Sequence, residues 1–281
     1  MSIGPDEIEA FLRTQDDFAL ELAVMALASD CGFEALHAGT YVDPITQKNR
    51  QFDVRAMCMH ESRHVSLAIE CKAVSSDHPL VVLRTPRLPV EGRMYVVTPL
   101  PESAVKLAGF PQVNVRQIPT QAYAVGRPVG RSLTQLKKEK GRLSGTDSDI
   151  HEKWAQALAS AFDLINASYA LARKRPSLTY STVLPVLVVP DNALWVADYD
   201  ADGRPVLSRT EGGEERLVRT VDETTFYVGR RYEVGNSNPH FYATHLHILT
   251  VSGLTALLRS MSNNGRHWTT TFPPILGSGA G

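Results

Sequence analysis

Cysteine is scarce in this chain. Cys31, Cys58 and Cys71 are its three, and no C-x-x-C pair occurs among them. That excludes a disulfide framework and the usual zinc-ligand spacing. Cys58 and Cys71 fall on the apolar faces of candidate strands and read as small buried hydrophobes, which favours a reducing compartment. An excess of either charge is also missing, since 29 Lys and Arg stand against 30 Asp and Glu, a net charge of -1. No global field therefore attracts nucleic acid or a membrane surface, and a polyanionic partner would have to be held by a local patch. No apolar run approaches the length of a membrane span. The opening "MSIGPDEIEAF" carries acids where a secretory signal needs bases and an apolar stretch. The expected location is cytoplasmic, without a membrane partner. The G-x-x-x-x-G-K-[ST] phosphate loop and the G-x-S-x-G nucleophile elbow are both absent. There is no internal repeat and no clear linker. What is present is 281 residues, 43% of them hydrophobic, enough to bury a sizeable core.

Apolar periodicity gives a coarse order of elements. Pro5, Asp6 and Glu7 suit a first helical turn, and Ile8, Phe11, Leu12, Phe18, Leu22 and Met25 follow at helical spacing to about Ser29. "FEALHAGTYV" reads as a strand and "DPITQKN" as a turn. "RQFDVRAMCMH" reads as a second strand, "ESR" as a tight turn and "HVSLAIECKAV" as a third strand. Residues 77–147 hold short strands among prolines and read as an insertion in a single domain spanning 1–281. "SDIHEKWAQALASAFDLINASYALARK" is a long helix, with Asp147 or Ser148 as a cap and Pro176 beyond its end. "TVLPVLVVPD" reads as a buried strand, "ALWVADYDADGRPVLSRTE" as a hairpin, "HFYATHLHILTV" as a strand, and "GLTALLRSM" as a short closing helix. The tail "ILGSGAG" reads as frayed.

The second and third strands carry the chemistry. Side chains alternate faces along a strand, so Phe52, Val54, Ala56 and Cys58 form one face and Gln51, Asp53 and Arg55 the other. On the next strand Val65, Leu67, Ile69 and Cys71 face one way, and Ser66, Ala68, Glu70 and Lys72 the other. A short turn pairs the two strands antiparallel. If the apolar faces share a core, Asp53, Glu70 and Lys72 share the opposite face. Two carboxylates brought together repel unless a cation joins them, and two oxygen ligands completed by water suit magnesium. The first helix adds Glu21, the only charge in "FALELAVMALA". A metal or Lys72 would partner it, or it reaches the helix edge and does nothing.

Helix, strand, "FDV" and then "IECK" resemble the PD-(D/E)xK nuclease superfamily, the restriction-endonuclease-like fold. The run "YVDPITQKNRQFDVRA" is similar to the acid-bearing hairpin of such proteins, and the long helix and following strand match the last two elements of an αβββαβ core. The resemblance covers mainly residues 6–75, and more weakly 148–190. It implies an α/β fold with a mixed central sheet flanked by helices, extended by extra strands and an insertion. It implies that Asp53 and Glu70 ligate Mg2+, for which Mn2+ may substitute, that Lys72 positions or activates the attacking water, and that Glu21 is the helix glutamate some members place at the metal. Phe52 stands where the nominal motif has proline, and the segment between the E-x-K strand and the long helix is large.

The implied function is magnesium-dependent hydrolysis of phosphodiesters in DNA rather than RNA, in defence or repair. The alternative is a catalytically inactive module of the same fold that binds nucleic acid or a protein partner. Residues 127–142 form the one concentrated basic segment, so Arg131, Lys137, Lys138 and Lys140 are the expected nucleic-acid contacts. Oligomeric state is not legible. "DYDADG" matches the opening of a calcium loop, but Arg209 stands at the twelfth position where that loop needs a bidentate glutamate, so a hairpin turn is the reading. His245 and His247 should share one strand face, with Leu246 and Ile248 on the other. Near them, partial exposure, a metal site with His240 and a place beside bound phosphate all remain open. Trp154, Trp195 and Trp268 read as packing residues.

Overall fold

The computed structural model describes residues 3–12, 16–74, 77–99, 113–139, 141–146, 148–210, 212–233, 240–263, 268 and 271–273. Two helical segments are described at the start of the chain, α1 (Pro5–Leu12) and α2 (Asp16–Asp30), within the span where the periodicity suggests one helix; residues 13–15 lie outside the described residues. The expected first strand is likewise two, β1 (Glu34–His37) and β2 (Thr40–Val42). They are separated at Ala38, whose φ of 56° is incompatible with extended backbone. Next come β3 (Asn49–Gln51), β4 (Val54–His60) and β5 (Arg63–Cys71). The segment 77–147 contributes β6 (Leu80–Pro86), β7 (Arg93–Pro99), β8 (Val113–Pro119), β9 (Pro128–Glu139) and β10 (Arg142–Thr146). The long helix α3 (Ser148–Lys174) leads into β11 (Tyr180–Val189). Seven more strands follow: β12 (Leu194–Tyr199), β13 (Pro205–Val206), β14 (Ser208–Arg209), β15 (Glu215–Arg216), β16 (Val218–Thr220), β17 (Glu223–Glu233) and β18 (His240–Thr250). Helix α4 (Val251–Asn263) comes last.

Among the described residues fourteen of these strands make one large mixed sheet flanked by helices, with the order β1-β4-β5-β11-β18-β17-β9-β6-β12-β13 along its main path, while β2–β3 and β14–β15 form two separate two-stranded sheets. β1, β4 and β5 form an antiparallel meander, and β11, reached through α3, lies parallel to β5. The strands of 77–147 are woven into the same sheet: β6 runs parallel to β12 and antiparallel to β9, and β7 touches β11. No described helix is long and apolar enough to cross a membrane.

Each sheet face is covered because alternate residues are apolar on both. Val54, Ala56, Val65, Leu67 and Ile69 pack with Val24 and Ala28 of α2 and Leu254 and Leu258 of α4. On the other face Ala68 packs with Ala161, Leu164 and Ile165 of α3, and Leu187, Leu246 and Ile248 pack with Ile150 and Ala157. Arg55 pins α3 to β4. Its Nη1 donates to Asp163 Oδ2 at 2.7 Å and its Nε to Ser160 Oγ at 3.3 Å.

Phe52 departs from the expected alternation. The chain bends at Asp53 between β3 and β4, so Phe52 does not join Val54. It packs instead with Tyr41 and with Ala159 of α3, and its ring lies 4.1 Å under the Arg55 guanidinium. A cation over an aromatic face is favourable, more so when partly desolvated. Gly39 makes room for this ring, since a Cβ there would stand 2.5 Å from it.

That close approach sets an expected outcome. Gly39→Ala should lower unfolding free energy by about 1–3 kcal/mol, the usual cost of overpacking, and Phe52→Leu in the same chain should restore part of the loss. Urea denaturation of the two variants checks it.

Candidate functional site

The register of the β4–β5 pair matches Val54 with Ile69 and Arg55 with Ala68. Continued by one step, it sets Asp53 opposite Glu70. Glu70 is completely buried, and neither carboxylate oxygen has a hydrogen-bond partner among the described residues. Asp53 is nearly as buried. Its Oδ2 accepts the Cys71 amide at 2.8 Å and the Lys153 ammonium at 2.8 Å. Lys153 Nζ is also 3.6 Å from Glu70 Oε2, within an ion pair but too far for a good hydrogen bond. One ammonium thus stands between two carboxylates. Burial, then the Asp53 charge, hold the Glu70 carboxyl well above its ordinary pKa. Lys153 is the reverse case. Burial alone would lower its pKa, but Asp53 and then Glu70 outweigh that and raise it.

The two other acids and the second lysine surround this pair. Lys72 follows Glu70 by two residues, and its Nζ donates to Asp17 Oδ2 at 3.1 Å. Asp17 also accepts the Ala73 amide, so the first turn of α2 is tied to the exit of β5. Glu21, one turn further along α2, has His37 as its partner at 3.0 Å, rather than Lys72. Burial first and the Asp53 charge second raise the Glu21 pKa, against the His37 hydrogen bond and the Lys153 charge. Glu21 is therefore close enough to feel the Asp53–Lys153 pair. The site lies at the end of the β4–β5 hairpin, where the N-terminal turns of α2 and α3 converge.

Two participants escaped sequence reasoning. Asp17 reads as an ordinary acid at a helix start. Lys153 had a usable signal: with Ala157, Ser160, Ala161 and Leu164 it occupies the stripe of α3 that faces the sheet, and a lysine in such a stripe needs a buried partner. Asp53 and Glu70 supply two oxygen-bearing groups for a hard cation, and magnesium usually takes only one or two carboxylates and completes its shell with water. Among the described residues no group of three or more His, Cys, Asp or Glu side chains forms a fuller cage. The donor chemistry and the two orphaned Glu70 oxygens fit such an ion.

The basic segment is less available than its composition suggests. Arg131 is engaged by the buried Glu91, with Nη1–Oε1 at 2.6 Å and Nη2–Oε2 at 2.8 Å. Lys137 and Lys138 lie in the β9–β10 hairpin, Lys138 exposed and Lys137 half-buried. Lys140 lies outside the described residues, as does Asp147.

His245 and His247 share one face of β18, while Leu246 and Ile248 pack on the α3 side. Neither histidine is on an exposed strand: both are buried. Tyr123 stacks on His245 at a ring-centroid distance of 3.8 Å, and its hydroxyl is 2.8 Å from His247 Nε2. Burial and then the Arg87 charge lower both pKa values, to about 2 for His245 and about 4 for His247. The segment "DYDADG" forms the β12–β13 turn, in which Asp200 Oδ1 accepts the Asp202 and Arg204 amides. Trp154 packs edge-on against Phe226, and Trp268 is buried beside Phe272.

Comparison with family models, with curated proteins and with solved structures finds no match to this chain.

Two outcomes are expected. In the presence of chelator Glu70→Gln should stabilise the fold by about 1–3 kcal/mol, since it removes a buried acid that must either ionise beside Asp53 or take up a proton. Lys153→Met should destabilise wild type, and destabilise the Glu70→Gln protein much less. A double-mutant cycle in urea measures that coupling, and additive effects would dissolve the triad. For the histidines, the folded pKa of about 4 for His247 lies below the ordinary 6.5, so below pH 6.5 the unfolded chain takes up a proton that the folded chain refuses. Stability should be complete above about pH 7 and fall between pH 6.5 and 4, by about 1 kcal/mol per pH unit for each histidine. His247→Gln should flatten that slope in pH-dependent urea titrations.

Proposed function

We propose that this chain is a magnesium-dependent phosphodiester hydrolase acting on DNA, built on a restriction-endonuclease-like core. The observation that carries the proposal is Glu70: a fully buried carboxylate with no hydrogen-bond donor, opposite Asp53 on an antiparallel strand pair. Holding one ionised carboxylate out of water costs several kcal/mol even after relaxation, and a second beside it adds repulsion. A site that retains both, with one lysine between them, is poised for a further cation. The order of α2, the β1–β4–β5 meander, α3 and parallel β11 supports the same reading, since it follows the αβββαβ sequence of that fold. So does the lysine two residues beyond Glu70, just past the end of β5.

In this reading Asp53 and Glu70 would hold the magnesium ion, which when bound supplies positive charge to the attacking and leaving oxygens of the phosphodiester. Lys72 serves the reacting phosphate as a charge. Its ammonium is half-buried and, among the described residues, tethered by Asp17 alone, so it can turn to a phosphate oxygen or to the attacking water. Lys153 holds the Asp53 carboxylate in place and screens it from Glu70 until the metal enters. Glu21, kept on α2 by His37, adds negative charge behind the site and favours cation entry. Nucleic acid would approach along the β9–β10 hairpin, with Lys137 and Lys138 as phosphate contacts. Arg131, committed to Glu91, contributes less than its charge implies.

A module that binds without cutting is favoured by one feature: Lys153 already compensates the acids, as a structural cation would. Labelled DNA and RNA in single-stranded, duplex and branched forms, incubated with magnesium, manganese or chelator, separate the two readings. Cleavage of DNA that stops with chelator is the expected result. Asp53→Ala should lose magnesium binding and cleavage together, whereas Lys72→Ala should keep metal binding and lose about a hundred- to thousandfold in rate, the typical cost of removing one transition-state charge donor. If no form is cut, the binding module stands. If Lys72→Ala cuts at the wild-type rate, Lys72 is merely the surface partner of Asp17.

A further inference from the structure

A second concavity lies away from the carboxylates. It has a volume of about 630 Å³ and opens between the residues around Tyr123, the strands β6, β17 and β18, and helix α4. His247 and Leu249 of β18 line it, whereas Leu246 and Ile248 of the same strand face α3, the side to which Glu70 points. The cavity is therefore on the opposite sheet face from Glu70.

Its charge is one-sided. Arg84, Arg87, Arg127 and Arg219 line it against the single acid Glu223. Asp198 grips Arg84 through both oxygens, at 2.7 and 2.8 Å, and also takes Arg219 at 2.9 Å. Asp198 and Glu223 together offset two of the four charges and leave two. Arg87 is the decisive one. It is buried, and no carboxylate pairs with it among the described residues. Its Nε donates to His245 Nε2 at 3.1 Å, Nη1 to the Ala124 carbonyl at 3.0 Å and Nη2 to Thr225 Oγ1 at 2.6 Å. A guanidinium has five N–H donors, so two remain uncommitted. Because His245 Nε2 accepts, its proton sits on Nδ1, and the ring is neutral and adds no charge. Three neutral acceptors orient the guanidinium without cancelling it. A buried, unpaired cation is costly, and an anion entering the cavity would remove that cost. Arg127, exposed and with no ion-pair partner among the described residues, stands at the mouth. The remaining wall is apolar, formed by Met94, Leu249, Leu257 and Phe272. A cationic wall facing an apolar one, in a volume typical of small-molecule sites, matches a ligand with a phosphate at one end and a flat organic body at the other.

We propose that this cavity binds a nucleotide-sized organic phosphate, with the phosphate on Arg87 and Arg127 and the base against Met94, Leu249 and Phe272. The site is independent of the carboxylate centre and of the hydrolase reading. Calorimetric titration of the full chain with nucleoside 5′-monophosphates, adenosine, inorganic phosphate and a short single-stranded oligonucleotide, all in chelator to silence the carboxylate site, tests it. A mononucleotide should bind with a Kd of about micromolar order, at least about tenfold tighter than adenosine or inorganic phosphate. Arg87→Gln should weaken it about ten- to a hundredfold. Arg127→Ala changes an exposed residue, so it keeps the test available if the Arg87 variant fails to fold, and it should weaken binding about three- to tenfold. No heat with any mononucleotide up to about 1 mM would overturn the proposal, as would wild-type affinity in Arg127→Ala. Equal affinity for inorganic phosphate would reduce the cavity to a plain anion site, and binding of the oligonucleotide alone would make it part of a nucleic-acid track; either result rejects the nucleotide.

Discussion

Opposed carboxylates at the end of a strand pair govern how this molecule is put together. Asp53 and Glu70 are set against each other by the β4–β5 register, and both are withdrawn from water. Backbone pairing alone cannot hold that arrangement, because like charges in a poorly solvated place repel strongly. The arrangement survives because three elements reach it at once. The Cys71 amide donates to Asp53, α3 delivers the Lys153 ammonium, and α2 fastens the strand exit through Asp17. Arg55, two residues past Asp53, then fixes α3 through Asp163 and Ser160. Sheet, both helices and site are thereby one construction rather than a scaffold with a site added.

The molecule carries a second concentration of unpaired charge, of opposite sign, on the other face of the same sheet. There the cations are arginines, and the planar guanidinium of Arg87 holds its orientation through three neutral acceptors. The two centres differ in how they could be relieved. A small hard cation would relieve the acids; an anion large enough to reach both Arg87 and Arg127 would relieve the arginines. The central strands separate them, since β11 and β18 carry apolar side chains on both faces.

Local pattern made much of the framework legible. The β4–β5 hairpin, the 27-residue helix α3, β11, β18 and the closing helix follow from periodicity and turn chemistry, and the alternation of Glu70 and Lys72 along β5 suffices to pair Glu70 with Asp53. What alternation could not anticipate was the bend at Asp53, which turns Phe52 toward α3, where its ring meets Gly39 of the preceding segment and the Arg55 guanidinium. Glu21 was visible as an anomaly, but its partner His37 was not, because a histidine at a strand end carries no pattern of its own. Lys153 is separated from Asp53 by a hundred residues, and only its phase with Ala157 and Leu164 betrays it. The arginine cavity was least legible, since Arg84 and Arg87 at the end of β6, Arg127 before β9 and Arg219 on β16 meet only when β6, β9, β12 and β16 enter one sheet.

The position of Lys153 has a consequence for the order in which the chain assembles. The β4–β5 hairpin is local and can form early, because closing a short turn costs little entropy. Its far end, however, carries Asp53 and Glu70, and their counter-ion sits on a helix that follows after the strands β6 to β10. Until that helix docks, the hairpin should zip from the Glu61–Ser62 turn and stay frayed at the acids. Completion of the strand pair then waits on a long-range event, the kind of contact that slows folding. The last rung of the hairpin to close would be the one that carries the two acids.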